Sequence, residues 1–577
     1  MTLSGRLHRI PLKINNYNEM KTLITFLILT CSFLILKAQI GEPPVKAPFD
    51  SLDTYCTNDW WNHAKNVKNS PDLIVDVDVP RNEVICFGIY TTQNKVMKMT
   101  AQLFPLYPNE TREVHLELKK NGKWEEVAKE KVNDIGWSAL FRIENWDETK
   151  DIPYRLRHAE QAIFEGLIRK KPINKNEIVV ASLNCNSNKE RGLREEYVRN
   201  VNHFNPDLVY FAGDQSYDHT EHTAAWLLFG LQFRELFRER PCITIPDDHD
   251  IGQGNLWGEG GKISASPAGD DGGYFYHHEY VKMVERCQTA HLPDHYDPTP
   301  IKQGIGVYYT SINIGGIDFA IIEDRKFKSG PAGKIPQQGP RPDHIRNPEY
   351  DPKSVDVEGL NLLGDRQLTF LNEWGIKQDG VSMRAVLSQT GFCGGAHRHG
   401  TFDNYLHADL DCNGWPQTGR NEALRAIKAA GAVHLAGDQH LATLVQHGID
   451  EYGDGPFAFV APALVNTYYK RWWHPLNEQP GANKDPKNPL TFTGDYKDGL
   501  GNKITMHAYA NIEGPELLRD GFGIVRFNKK ERSVTFESWD RFTDVTKKGA
   551  KQMPGWPRTI RQSGSGKNIV FTIDSLK

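Results

Sequence analysis

At 577 residues the chain is too long for one ordinary hydrophobic core, so two or three domains are expected. Its 39% apolar and 25% charged residues describe a soluble globular protein and exclude a disordered one. A formal net charge of -4 argues against a mainly electrostatic partner, so no specific nucleic-acid binding is expected.

A polar leader runs from Met1 to Asn18. Met20-Lys21 then opens an apolar run from Leu23 to Leu36 that closes on Lys37-Ala38-Gln39. A basic start, a short apolar centre and a small residue near the end predict a secretory signal peptide over residues 20–39. Lys37 ends the run short of the ~18 residues a membrane span needs, and no other stretch reads as a span. The expected location is secreted or periplasmic, with no transmembrane segment left after signal removal. Cys31 would leave with the signal, and the seven cysteines that remain of eight are too few for a disulfide scaffold. Their odd number leaves at least one unpaired, and Cys185 is the expected one.

Residues 45–170 show short apolar runs with turn punctuation. Glu83 to Thr92, Val96 to Leu103, Val114 to Leu118, Ala139 to Ile143 and Ala162 to Ile168 read as strands, and Asn121-Gly122 as a hairpin turn. Regular short strands without long helices predict an all-β sandwich of immunoglobulin or fibronectin type, serving as a positioning or contact module. Arg169 to Lys175 is a basic joint, and residues 175–577 follow an α/β pattern.

In that second part four apolar strands each deliver chemistry at their ends. Glu177 to Leu183 delivers Asn184-Cys185-Asn186. Asp207 to Ala212 delivers Gly213-Asp214-Gln215-Ser216-Tyr217. Cys242 to Ile245 delivers Pro246-Asp247-Asp248-His249-Asp250, and Ala432 to Ala436 delivers Gly437-Asp438-Gln439-His440. Short continuous apolar runs fit strands covered on both faces, and ligands collect at the carboxyl ends of such strands. Helices are expected over Glu190 to Phe204, Thr223 to Arg240 and Asn421 to Ala430, the second with its aromatics packed on the sheet. Further strands are expected over Gly316 to Arg325 and Arg384 to Ser388. The Gly-rich stretch from Gly252 to Gly273 reads as a loop over the site; its Gly260-Gly261-Lys262 lacks the spacing of a phosphate loop. Asp409 to Gly414 begins like a calcium loop, but Arg420 stands where the closing Glu belongs, so it reads as a turn.

Carboxylates shared between cations, with imidazole and thiolate beside them, are what a two-metal hydrolase needs. Gly213-Asp214, Asp248-His249-Asp250 and Gly437-Asp438-Gln439-His440 resemble, in order and spacing, the motifs of the calcineurin-like metallophosphoesterases. Ser182-Leu183-Asn184-Cys185 in place of Asp-x-His, Gly-Asp-x-x-Tyr in place of Gly-Asp-x-x-Asp, and Leu363 to Leu368 are similar to the PhoD-type alkaline phosphatase and phosphodiesterase branch. The resemblance covers about Val79 to His440.

That resemblance implies a four-layer α/β sandwich, two mixed sheets flanked by helices, behind the front β-sandwich. It implies a binuclear or trinuclear centre of ferric iron with calcium, other divalent cations being possible. Cys185, Asp214, Tyr217 and His440 would hold the iron, and Asp214 would bridge to calcium, helped by Asp438 and Asn255. Asp248 is a ligand in simpler relatives and joins the metal set. His249 would protonate the leaving oxygen, oriented by Asp247 or Asp250. Apart from the resemblance, His397 and His399 are candidates for contact with a small phosphate-ester substrate or with a metal. The reading is a secreted phosphatase acting on mono- or diesters. Its rivals are a diesterase or phospholipase-D-like enzyme on the same metals and, more distantly, a calcium-stabilised surface protein. The last has no use for His249 or for a thiolate, because calcium takes oxygen ligands.

Overall fold

Turn chemistry shapes the front of the chain. The hairpin between strands β3 (Glu113–Lys120) and β4 (Lys123–Lys131) turns through Asn121 and Gly122, with φ of 51° and 82°, the left-handed pair that a two-residue hairpin needs. These strands join β6 (Ile152–His158) and β7 (Ala162–Ile168) in a four-stranded antiparallel sheet of order β4-β3-β6-β7. Strands β1 (Ile85–Gln93), β2 (Val96–Leu103) and β5 (Ser138–Ile143) form a second antiparallel sheet. The structure is a computed structural model that describes residues 49, 52–57, 59–67, 73–396, 406–466, 468, 470–472, 487–510 and 519–576. The expected signal peptide, His397 and His399 lie outside the described residues. Among the described residues no helix is long and apolar enough to cross a membrane.

Behind the front sheets, β8 (Glu177–Leu183), β9 (Leu208–Phe211) and β10 (Cys242–Thr244) run parallel. Helices α2 (Glu195–Phe204) and α3 (His222–Phe237) lie between them in sequence, after a short α1 (Trp60–Val67) near the front. Late strands β21 (Gly521–Asn528), β22 (Ser533–Asp540), β23 (Arg558–Ser563) and β24 (Val570–Ile573) complete a seven-stranded sheet of order β10-β9-β8-β21-β22-β23-β24.

An eight-stranded sheet lies face to face with it. It takes β11 (Thr310–Ile314), β12 (Ile317–Ile321), β14 (Met383–Thr390), β16 (Ala432–Gly437), β17 (Thr443–His447), β18 (Phe457–Val460), β19 (Gly494–Lys497) and β20 (Lys503–Tyr509). Within it β12, β14, β16 and β18 are parallel neighbours. A short ladder of β13 (His344–Ile345) and β15 (Ala408–Asp409) stands apart. One apolar cluster joins the facing sides: Val180, Leu208 and Tyr210 from the first sheet meet Phe319, Leu387 and Leu435 from the second. Burying two sheets on each other leaves each with one outer face to cover. Helices α5 (Gly364–Ile376) and α6 (Gln417–Ala429) cover the second sheet through Leu371, Trp374, Leu424 and Ile427, beyond α4 (His278–Thr289) in the chain.

Helix α3 covers the first sheet, and it does so between two layers. Twelve of its 16 residues are buried, more than one apolar stripe requires. Phe229 and Phe233 meet Phe211 of β9 with ring centroids 4.9 and 5.1 Å apart, while Trp226 and Phe237 meet Phe87 of β1 at 5.5 and 5.4 Å. The approach is close: a Cβ at Gly230 would come within 2.1 Å of the Phe87 ring. The aromatics expected to pack on one sheet therefore pack on two, and the front strands share their core with the α/β part. Pro48–Lys577 clusters as one compact unit.

Candidate metal centre

Cys185 and Asp214 sit where β8 and β9 leave their sheet. The Cys185 amide donates to Gly213 O at 3.1 Å and the Asn186 amide to Asp214 O at 2.8 Å, so the two exits are laced together. Gly213 has φ of 118°, and a Cβ there would lie 2.5 Å from that of Asp247, so only glycine lets β9 and β10 exit this close. Cys185, Asp214, Asp438 and His440 all have left-handed backbones, with φ of 53°, 56°, 61° and 52°. Such a backbone costs roughly 1 kcal/mol or more per residue, and its recurrence at one place is a mark of a functional site. Asp250 ties the exits from beneath. Its carboxylate accepts the amides of Asp214, Gln215 and Asp247 at 2.9, 3.0 and 2.9 Å, and the Gln288 side chain at 3.1 Å.

Above that knot the chemistry converges. Asp214 Oδ2 lies 3.7 Å from the Cys185 sulfur and accepts the Tyr217 hydroxyl at 2.7 Å; the same hydroxyl is 3.1 Å from His440 Nε2. Asn466 Oδ1, 2.8 Å from His440 Nδ1, turns Nε2 towards the cluster. On the other side of Asp214, one oxygen each from Asp214, Asp247, Asp248 and Asp438 lie within 4.8 Å of one another, all four residues buried. Cys185, Asp214 and His440 form a second group at the same spacing.

These groups fit bound cations. Burial, and then the neighbouring carboxylates, pushes the acids of Asp214 and Asp248 well above the ordinary range, and that of Asp247 rises for the same reasons although Arg325 opposes it. Burial, Asp214 and Asp438 likewise raise the Cys185 thiol. Asp214 Oδ1 and Asp248 Oδ1 are buried with no hydrogen-bond partner. Buried, mutually repelling carboxylates with orphaned oxygens stay ionised only with positive charge among them.

His249 lies beside this group, its ring 4.1 Å from that of Tyr217 and its Nδ1 2.5 Å from His219 Nε2. Burial, His219 and His440 push its pKa well down, so the resting ring is neutral. The orienting contact expected from Asp247 or Asp250 is thus made by His219 instead. Asp247 turns to Arg325 at 2.6 Å, and Asp250 is taken up by backbone amides. Asn255 donates to Asp343 at 2.7 Å, an acid that forms its own group with His344 and Asp409 and is absent from the Asp214 groups.

Several site residues escaped the sequence reading. Arg325, with 2% of its surface exposed, follows β12 and pairs with Asp247 and with Asp411 at 2.5 Å. In the sequence it closes the apolar run of a strand, so only its position at a strand end points to the site. Asp411 lies in the stretch Asp409 to Gly414, whose sequence signals a turn. Lys470, also buried, lies within electrostatic range of Asp438, Asp409 and Asp411, in a stretch that carried no recognisable pattern. All seven described cysteines are free and buried, where one unpaired thiol was the minimum expected.

No protein-family model matches the chain, and no curated protein matches it. Among solved structures it resembles that of PhoD, with a TM-score of 0.58 and 13% identity over 86% of this chain and 93% of that one. It is also similar to a purple acid phosphatase from yellow lupin (Lupinus luteus) seeds, with a TM-score of 0.49 and 11% identity over 82% and 74% of the two chains. The chain therefore has the fold of PhoD, so that its fold and its strand-end motifs resemble the same PhoD-type branch of the calcineurin-like metallophosphoesterases.

Proposed function

We propose that this chain is a metal-dependent hydrolase of phosphate mono- or diesters. The observation that carries the reading is the meeting, at the ends of β8, β9, β10 and β16, of a thiol, a phenol, an imidazole and four carboxylates within metal-ligand spacing. Cys185, Tyr217, His440 and Asp214 form the donor set suited to ferric iron. Asp214, Asp248 and Asp438 form the oxygen-rich set suited to calcium or another divalent cation. Cations held there would activate water at neutral pH and neutralise charge developing on the phosphoryl oxygens.

The chain's own residues account for the rest. Asp250 holds the exits of β9 and β10 in register, and Asn466 fixes the ring of His440. His249 is the residue placed to give a proton to the leaving oxygen. An incoming phosphate ester brings negative charge beside the neutral ring and shifts it back towards the imidazolium that a general acid must be. His219, sharing a proton with Nδ1, sets which ring nitrogen of His249 faces the substrate.

Export belongs to the same reading, supported by the pattern of Met20 to Gln39. The order β1-β2-β5 and β4-β3-β6-β7 supports taking residues 45–170 as the fibronectin-type sandwich, and residues 175–577 as the catalytic part. The test is metal analysis of purified protein together with assays on a panel of phosphate monoesters and diesters, before and after chelation. Turnover that chelation leaves untouched would end the proposal. Activity confined to diesters would favour the phosphodiesterase or phospholipase-D-like form.

A further inference from the structure

The carboxylates of the centre are not all available to metal ions, and the residue that decides which ones are is Arg325. Its guanidinium is fully buried and cannot lose its proton; the surrounding acids raise its pKa further against the effect of burial. Nε lies 2.6 Å from Asp247 Oδ1 and Nη2 3.3 Å from Asp247 Oδ2. Nη1 lies 2.5 Å from Asp411 Oδ1 and Nη2 3.4 Å from Asp411 Oδ2. Both oxygens of both acids are therefore engaged by one fixed cation. Asp247 Oδ1 also accepts the Asp248 amide at 2.9 Å, and Lys328 donates to the backbone carbonyls of Asp411 and Cys412.

The acids on the near side behave differently. Asp248 is 3.9 Å from the guanidinium and keeps a buried oxygen without a partner, and so does Asp214. Asp438 offers Oδ2 to Arg325 at 3.3 Å and to the Gln439 side-chain Nε2 at 2.8 Å.

We infer that Arg325 is a positioning residue that takes the place of a third metal ion, so that this centre holds two ions and not three. The inference rests on the proposed hydrolase reading and deepens it. The thiol, phenol and imidazole with Asp214 serve one ion; Asp214, Asp248 and Asp438 serve the other. Of the other donor groups among the described residues, Asp214, Asp248 and His249 overlap the second ion's set, and Asp343, His344 and Asp409 form a separate one; a third ion beside Arg325 would have to draw on Asp247 or Asp411, and both are satisfied by a charge that neither chelation nor pH removes. Arg325 also fixes the position of Asp438, which it links to Asp247 and Asp411 across the gap between the two sheets.

The test counts ions. Full-length protein is loaded with iron and calcium, freed of excess by gel filtration, and its metal-to-chain ratio is measured by mass spectrometry. The expected ratio is two, and a ratio of three overturns the inference. The companion variant is Arg325→Met, which keeps bulk and removes the charge. It should take up one more calcium ion per chain than the wild type in equilibrium dialysis, and its Tm should rise with calcium over a range in which the wild-type Tm is already flat. A variant that folds but takes up no additional calcium overturns the inference. A variant that accumulates only when calcium is present supports it, and if it fails with and without calcium the wild-type ratio alone decides. The two readings fail separately. A chain with no bound metal and no turnover ends the hydrolase proposal, whereas three ions with turnover intact end only the role given to Arg325.

Discussion

The hydroxyl of Tyr217 lies 3.1 Å from Nε2 of His440, although 223 residues separate the two in sequence. Tyr217 follows the end of β9 in one sheet and His440 the end of β16 in the other, so the contact exists only because the two sheets pack face to face. Asp214 accepts a hydrogen bond from the Tyr217 hydroxyl on Oδ2. The pair thus marks where the two layers combine into one centre.

Asp214 is the carboxylate common to both donor groups. Asp214→Asn keeps the shape but removes the charge and one acceptor oxygen. Hydrolysis should fall by ~100-fold or more, the scale on which loss of a charge-stabilising group acts, with at least one ion lost and circular dichroism unchanged. Near-native turnover with full metal content would refute the shared role.

A general acid matters in proportion to the basicity of the leaving oxygen. His249→Ala should cost ~100-fold or more on alkyl phosphates, the usual scale for acid–base catalysis, and far less on nitrophenyl phosphate, at unchanged metal content. His219→Ala should follow the same pattern more weakly, because it acts through His249. Equal losses on both substrates, together with loss of metal, would make His249 a ligand or a support.

The front sheets and α3 share a core, so they should unfold together. Phe87→Ala removes a ring that touches Trp226 and Phe237 and should cost ~3 kcal/mol or more, with a single transition in urea as in the wild type. A fragment beginning at Lys175 carries every proposed ligand, yet it would expose Trp226 and Phe237 and should aggregate. A soluble, metal-binding fragment, or two separate transitions in the whole chain, would show that the front strands are an independent module.

Asp53 offers a test of pH dependence away from the metal centre. It accepts the amide and hydroxyl of Thr223 at 2.9 and 2.8 Å, while its other oxygen is buried without a partner. Burial, then Glu221, raises its pKa to about 8. A carboxyl whose folded pKa exceeds the unfolded one contributes stability that is complete below the unfolded value, about 3.9, and is lost as pH rises through the folded value. Asp53→Asn should therefore match the wild type near pH 4 and exceed it by several kcal/mol at pH 9. Denaturant melts at the two pH values check this, and a gap that does not widen with pH would refute it.

The sequence by itself determined which strands end in chemistry. Apolar runs bounded by Pro206 and Gly213, or by Gly431 and Gly437, are local patterns, and burial on both faces is what such runs require. Cys185, Asp214, Asp248, Asp438 and His440 therefore fall at strand ends on sequence pattern alone, and the structure gathers them. Only the tertiary structure decided the partners. Arg325 and Asp411 are 86 residues apart and meet because β12 and the segment after β15 end at the same edge. His219 displaced Asp247 and Asp250 as the neighbour of His249, since those acids were drawn to a buried guanidinium and to orphaned backbone amides. Helix α3 shows the same division. Its aromatics announced a buried helix, but whether one sheet or two covered it depended on how closely β1 approaches Gly230. Local patterning specifies what must be buried; which distant group lies opposite is settled by the packing of whole layers, and no short stretch of sequence carries it.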